Sequence, residues 1–165
     1  MITKFKIFEN KNNDYKITLD KEEMLSDYIY TALWTEESVD DQSFDGYDID
    51  DFTEEEKDLI RKDIEKFINL LEKKLETIGD KQIIKVINKL DPIDIGGDIW
   101  LTRNGHGSGF WDRDYCDIEF TPGNNPYGKA YKLCSIMTEV ADEIGGVELI
   151  FEKPIKDYEI KRFKI

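Results

Sequence analysis

Residues 98–113 read Asp-Ile-Trp-Leu-Thr-Arg-Asn-Gly-His-Gly-Ser-Gly-Phe-Trp-Asp-Arg, and the side chains most capable of chemistry gather there. The stretch holds the only histidine, His106, two of the four arginines, Arg103 and Arg113, and two of the three tryptophans, Trp100 and Trp111. Three alternating glycines, Gly105, Gly107 and Gly109, let backbone N–H groups turn towards an anion without side-chain obstruction. Arg103 and Arg113 can each grip a phosphate in bidentate fashion. Trp100 and Trp111 offer faces for a base, and Asn104 and His106 can read edges or hydroxyls. Thr102 and Asp112 complete the expected ligand-binding set. Tyr28, Thr31 and Trp34, at helical spacing upstream, are candidates for a pocket wall.

Other chemistries fit less well. His106 near Asp112 offers a general base, but Ser108 so close in the chain makes no triad. A zinc site built on His106 and Cys116 lacks two further ligands. No metal and no cofactor is therefore expected, and binding is favoured over catalysis. The spacing matches neither a P-loop nor a dinucleotide fingerprint. Taken singly, each of these residues is explained by turns, ion pairs and core; it is their density that points to a site.

The elements that must position this stretch follow from periodicity. Residues 2–19 alternate as two strands around a polar turn. A helix starting at Asp20 carries the stripe Leu25, Tyr28, Ile29, Ala32 and Leu33. Residues 36–51 form an acidic loop. With Gly46 placed sixth in a calcium loop, Asp41, Ser43 and Asp45 take positions one, three and five. Phe52 then falls where a bidentate glutamate is needed. A capping box of Thr53 and Glu56 opens a long helix that runs to Gly79. A third helix spans about Lys81–Leu90, and Pro92 stops it.

Ile99–Arg103 and Phe110–Tyr115 read as a hairpin around the loop 104–109, with Cys116–Phe120 extending the second strand. In that register Trp100 opposes Arg113, and Arg103 reaches Asp112 diagonally. A helix over Tyr127–Ile144 and strands at 147–151 and 158–165 complete the chain. The expected fold is α+β, a mainly antiparallel sheet with about four helices packed on it, in a single domain over 1–165.

The 165-residue chain has a formal net charge of −14, with 37 acidic against 23 basic residues. That balance argues against tracking DNA or RNA phosphates and permits a partner with a basic surface. No apolar run reaches membrane-span length and the N-terminus lacks signal-peptide features. Cys116 and Cys134 make no disulfide framework and read as free thiols in a reducing cytoplasm.

The phrase Leu101-Thr-Arg-Asn-Gly-His-Gly-Ser-Gly-Phe-Trp-Asp-Arg113 resembles one carried by a family of small bacteriophage proteins of unassigned function. Those proteins often have Gly-His-Asp-Phe-Trp where this chain has Gly97-Asp98-Ile99-Trp100, so a second histidine is missing here. The block Tyr30-Thr-Ala-Leu-Trp34 and the Asp50-Asp51-Phe52 before a long helix are also similar. The resemblance covers residues 24–150, with 1–20 and 152–165 as added strands. It implies an accessory phage protein acting in the cytoplasm of the bacterial host, where such proteins commonly counter defence.

The leading expectation is sequestration, without turnover, of a nucleotide-derived signal by the 98–113 unit, in a pocket of the kind that homo-oligomers build between subunits. The alternative is an acidic protein that mimics nucleic acid and inhibits a host defence protein. A third reading is hydrolysis of the signal through His106.

Overall fold

A computed structural model describes residues 13–36, 44, 46–124, 127–151 and 160–164, with backbone alone for 148–151 and 160–164. Among the described residues five helices dominate: α1 Lys21–Thr35, α2 Glu54–Ile78, α3 Lys81–Ile87, α4 Pro92–Arg103 and α5 Leu133–Ile144. The strands form two separate antiparallel pairs, β1 Glu119–Phe120 with β2 Tyr131–Lys132, and β3 Val147–Phe151 with β4 Ile160–Lys164. The expected sheet platform is therefore wrong, because the apolar stripes of the helices close on one another.

The helices begin where their caps dictate. Asp20 accepts from the N–H groups of Glu22 and Glu23 to start α1. Thr53 and Glu56 exchange capping bonds at the start of α2. Gly79, at φ +86°, ends α2 in the left-handed conformation that glycine adopts without steric cost. Ile60, Ile64, Phe67, Ile68, Leu71 and Leu75 form the buried face of α2. They join Met24, Leu25 and Ile29 of α1, Ile95 and Ile99 of α4, and Met137 and Val140 of α5 in one core.

The largest departure from expectation lies at 92–115. Pro92 does not merely stop α3: it occupies the first turn of a new helix, where its missing N–H costs nothing. Asp91 caps that helix by accepting from Ile93 N–H. Gly96 and Gly97 sit inside α4 and let it lie directly on α1. A Cβ on Gly96 would fall 2.1 Å from the Met24 carbonyl oxygen, and one on Gly97 would fall 2.3 Å from Asp27 Oδ2. Each glycine weakens an isolated helix by about 1 kcal/mol. Here the pair permits a helix crossing that no larger residue allows.

Residues 99–103 are thus helix, and 110–112 form a 3₁₀ turn, so the expected hairpin and its facing pairs do not exist. Helix α3 ends at Ile87 and α5 starts at Leu133, inside the spans expected for them. Of the expected N-terminal strands, 2–12 lie outside the described residues, and Asn13–Tyr15 is a 3₁₀ turn. Asp41, Ser43 and Asp45 of the acidic loop, weighed against a calcium-loop pattern that Phe52 breaks, also lie outside them. Cys116 and Cys134 are not free thiols; they form a disulfide that ties the loop before β1 to the first turn of α5. Among the described residues, no helix is long and apolar enough to cross a membrane.

Candidate functional site

The 98–113 stretch is first of all a way of ending α4. His106 N–H donates to the Leu101 carbonyl and Gly105 N–H to the Thr102 carbonyl, at 3.1 and 3.2 Å. With Gly105 at φ +67°, this is a Schellman motif that satisfies the last carbonyls of the helix. Asn104 donates from Nδ2 to the Trp100 carbonyl and accepts from Val147 N–H, tying the helix end to β3. Thr102, buried, accepts from Phe110 N–H, and Asp112 accepts from Gly109 N–H. Asn104, Thr102 and Asp112 therefore hold backbone.

Trp100 and Arg103 are buried as well. The Trp100 indole N–H donates to Thr35 Oγ1 at 2.7 Å, and its ring meets Tyr28 edge-on. No base can stack on it. Arg103 Nη1 donates to Asp63 Oδ2 at 2.6 Å and to the Tyr28 hydroxyl at 2.9 Å, while its Nε donates to the Gly145 carbonyl. Burial works against its charge, but Tyr28 and Asp63 outweigh that and hold the guanidinium above its ordinary value. Three of the expected side chains, Tyr28, Trp100 and Arg103, thus form an internal knot.

His106 sits beside this knot, with its ring centroid 6.3 Å from that of Trp100. Its Nε2 is buried, makes no hydrogen bond among the described residues, and lies 3.7 Å from Glu36 Oε1. Burial pushes the imidazole below its usual value, so the carboxylate at that distance does not offset the loss of solvent.

A cleft of about 290 Å³ opens where α1, α4 and the segment after the 3₁₀ turn meet. Asp27 and Thr31 project from one turn of α1; Asp94, Gly97, Asp98 and Leu101 come from one face of α4; Arg113 and Tyr115 close the third side. Of the residues expected to bind, Arg113 lines this cleft, and of the expected pocket wall, Thr31 does. Trp34, 75 % exposed, follows Thr31 by one turn, and Tyr30 stands exposed one turn before Trp34. Trp111 is 48 % exposed.

The Arg113 guanidinium is already engaged. Its Nε lies 2.8 Å from both oxygens of Asp98 and its Nη2 lies 2.6 Å from Oδ1. The Tyr115 hydroxyl donates to Asp98 Oδ2 at 2.7 Å. The hydrogen bond to Asp98 holds Arg113 above its ordinary value. Burial and the neighbouring Asp98 push Tyr115 up, so the phenol keeps its proton.

Asp27 and Asp94 have no such cation: among the described residues, neither forms an ion pair with a lysine or arginine. Burial raises Asp27 most, with Asp94 and Asp98 adding repulsion against bonds from Gly97 N–H and Thr31. Burial also raises Asp94, reinforced by Asp91 and Asp98 and only partly opposed by Arg113. The cleft thus carries three carboxylates against one arginine, and it repels a phosphate.

Asp27, Asp94 and Tyr115 escaped the reading of the sequence. Asp94 and Asp98 are four apart and share a face only once 92–103 is recognised as helix. Among the described residues, no group of three or more histidine, cysteine, aspartate or glutamate side chains is spaced to hold a metal ion. No family model, curated protein or solved structure matches the chain.

Proposed function

We propose that the protein is a non-catalytic accessory protein, of the bacteriophage type that its 101–113 phrase resembles. In this reading it engages a positively charged surface of a host defence protein through the cleft between α1 and α4. The observation that carries the reading is the pairing pattern inside the cleft. Arg113 is spent on Asp98, while Asp27 and Asp94 face the same space with raised proton affinity and no counter-ion of their own. A lysine or arginine side chain supplied by a partner relieves that repulsion. Exposed Trp34 and Tyr30 beside it offer faces to a cation and to the apolar stem that carries it.

The net charge of −14 supports the same choice by steering a basic partner towards the surface. Sequestration of a nucleotide signal by 98–113 has less support, because Arg103 is buried in an ion pair and Arg113 is held by Asp98.

The test is a titration of tryptophan emission with a lysine-rich peptide at low and at physiological salt. Saturable, salt-sensitive binding that falls at least about tenfold in Asp27→Asn/Asp94→Asn is the expected result. Absence of binding, or equal binding by the double variant, contradicts the proposal.

A further inference from the structure

A second cleft, of about 440 Å³, lies between α2, the β2 strand and the first turns of α5, and its lining has the opposite charge. Three lysines border it, Lys74, Lys129 and Lys132, against a single carboxylate, Glu139. On a chain this acidic, such a bias is the reverse of what composition would distribute.

The lysines are held by contacts that a ligand can replace. Lys74 pairs with Glu139 at the surface. Lys132 lies 3.9 Å from Asp117, with both side chains more than half exposed. Lys129 Nζ rests 5.3 Å from the centroid of the Tyr131 ring. Solvent-exposed pairs of this kind contribute about 0–1 kcal/mol, so a dianion that meets two or three ammonium groups at once outcompetes them.

The rest of the lining suits one end of a small molecule to each wall. Ser135 and Thr77 add hydroxyls beside the lysines. The Thr77 hydroxyl donates to the Lys73 carbonyl and keeps its lone pairs free to accept. Ile78, Ala130 and Ile136 form an apolar floor, of which Ile136 is buried. The ring of Tyr131 stacks with Phe120 at 5.8 Å between centroids, so it walls the cleft and is not itself a platform for a base. The volume falls within the range of about 300–1,000 Å³ typical of small-ligand pockets.

We infer that this α2–α5 cleft is a binding site for a small phosphate monoester, its phosphate held by Lys129, Lys132 and Lys74 and its carbon skeleton laid on Ile78, Ala130 and Ile136. The site is separate from the acidic cleft and does not depend on the function proposed for it.

Isothermal titration of the full chain at about pH 8, where the monoester is a dianion, tests it with three probes: phenyl phosphate, inorganic phosphate and phenol. Phenyl phosphate binds, inorganic phosphate binds more weakly because the floor stays uncovered, and phenol does not bind. In Lys129→Gln/Lys132→Gln the affinity for phenyl phosphate falls at least about tenfold. Asp27→Asn/Asp94→Asn leaves it unchanged. Both altered lysines are exposed, so an unchanged circular dichroism spectrum separates lost binding from lost fold. Phenyl phosphate that fails to bind overturns the inference, as does phenol binding equally well or affinity that survives the lysine substitutions. Inorganic phosphate binding as tightly as phenyl phosphate overturns the role given to the floor.

Discussion

Arg103 and Arg113 stand ten residues apart, each donates several hydrogen bonds, and each pairs with an aspartate at 2.6 Å. What separates them is water. The Arg103 side chain is 1 % exposed and is surrounded by Asp63, Tyr28 and the Gly145 carbonyl. The Arg113 side chain is 33 % exposed and borders an open cleft. A motif dense in chemistry-bearing residues has thus been divided in two. Its inner half fastens the end of α4 to the core, and its outer half shapes a charged cleft.

The division predicts unequal costs. Arg103→Gln takes the cation from Asp63 and one hydrogen bond from the Tyr28 hydroxyl at a largely buried place. The expected loss is about 3–5 kcal/mol, the range for breaking a buried pair, visible as a large drop in denaturant midpoint. Arg113→Gln keeps an amide near Asp98, and Tyr115 still donates to it, so a loss of less than half as much is expected. Equal losses would erase the distinction between the two arginines.

Gly96→Ala sharpens the comparison from the side of the backbone. Its Cβ meets the Met24 carbonyl at 2.1 Å, so α1 and α4 must move apart, with a loss of about 1–3 kcal/mol measured by chemical denaturation. If Gly96→Ala stabilises the protein, as an alanine does in an isolated helix, the close crossing is not what the glycine serves.

Smaller effects follow from titration. Asp27 has its proton affinity raised by folding, so its ionised form opposes folding above the ordinary carboxylate range, and that opposition disappears as pH falls through its folded value. Asp27→Asn should therefore melt slightly higher than the parent at neutral pH, with the gap closing below about pH 4. His106 has the opposite relation: folding lowers its proton affinity, so stability declines as pH falls through the ordinary histidine value, about 6.5. His106→Gln should flatten that slope; an unchanged slope would mean that the buried Nε2 is not what titrates.

The sequence made some of this legible. Helix α2 was readable because its stripe, its Thr53–Glu56 capping box and its terminal Gly79 all agree. Helix α4 was not, because Pro92, Gly96 and Gly97 read as breakers when local preference is considered alone. Only the packing against α1 turns them into an N-terminal proline and a helix contact. Asp91 before Pro92, with Ile95 and Ile99 four apart, were the signals that a helix begins there.

The same error concealed the site. Arg113, expected to bind, and Thr31, expected as pocket wall, do line the cleft, but Asp27 and Asp94 gain meaning only from the α1–α4 crossing. The scarce residues Trp100 and Arg103 attracted attention by type, and burial assigns them to the core.

The central claim is that the outer half of the motif sets the charge of the cleft without itself being the binding group. The most direct measurement compares the affinity of one lysine-rich peptide for three folded proteins at equal ionic strength. Arg113→Gln, which leaves Asp98 without its cation, should bind more tightly than the parent. Asp27→Asn/Asp94→Asn should bind more weakly. The order reversed, with Arg113→Gln weakest, would contradict the account and return Arg113 to the role of a ligand-binding residue.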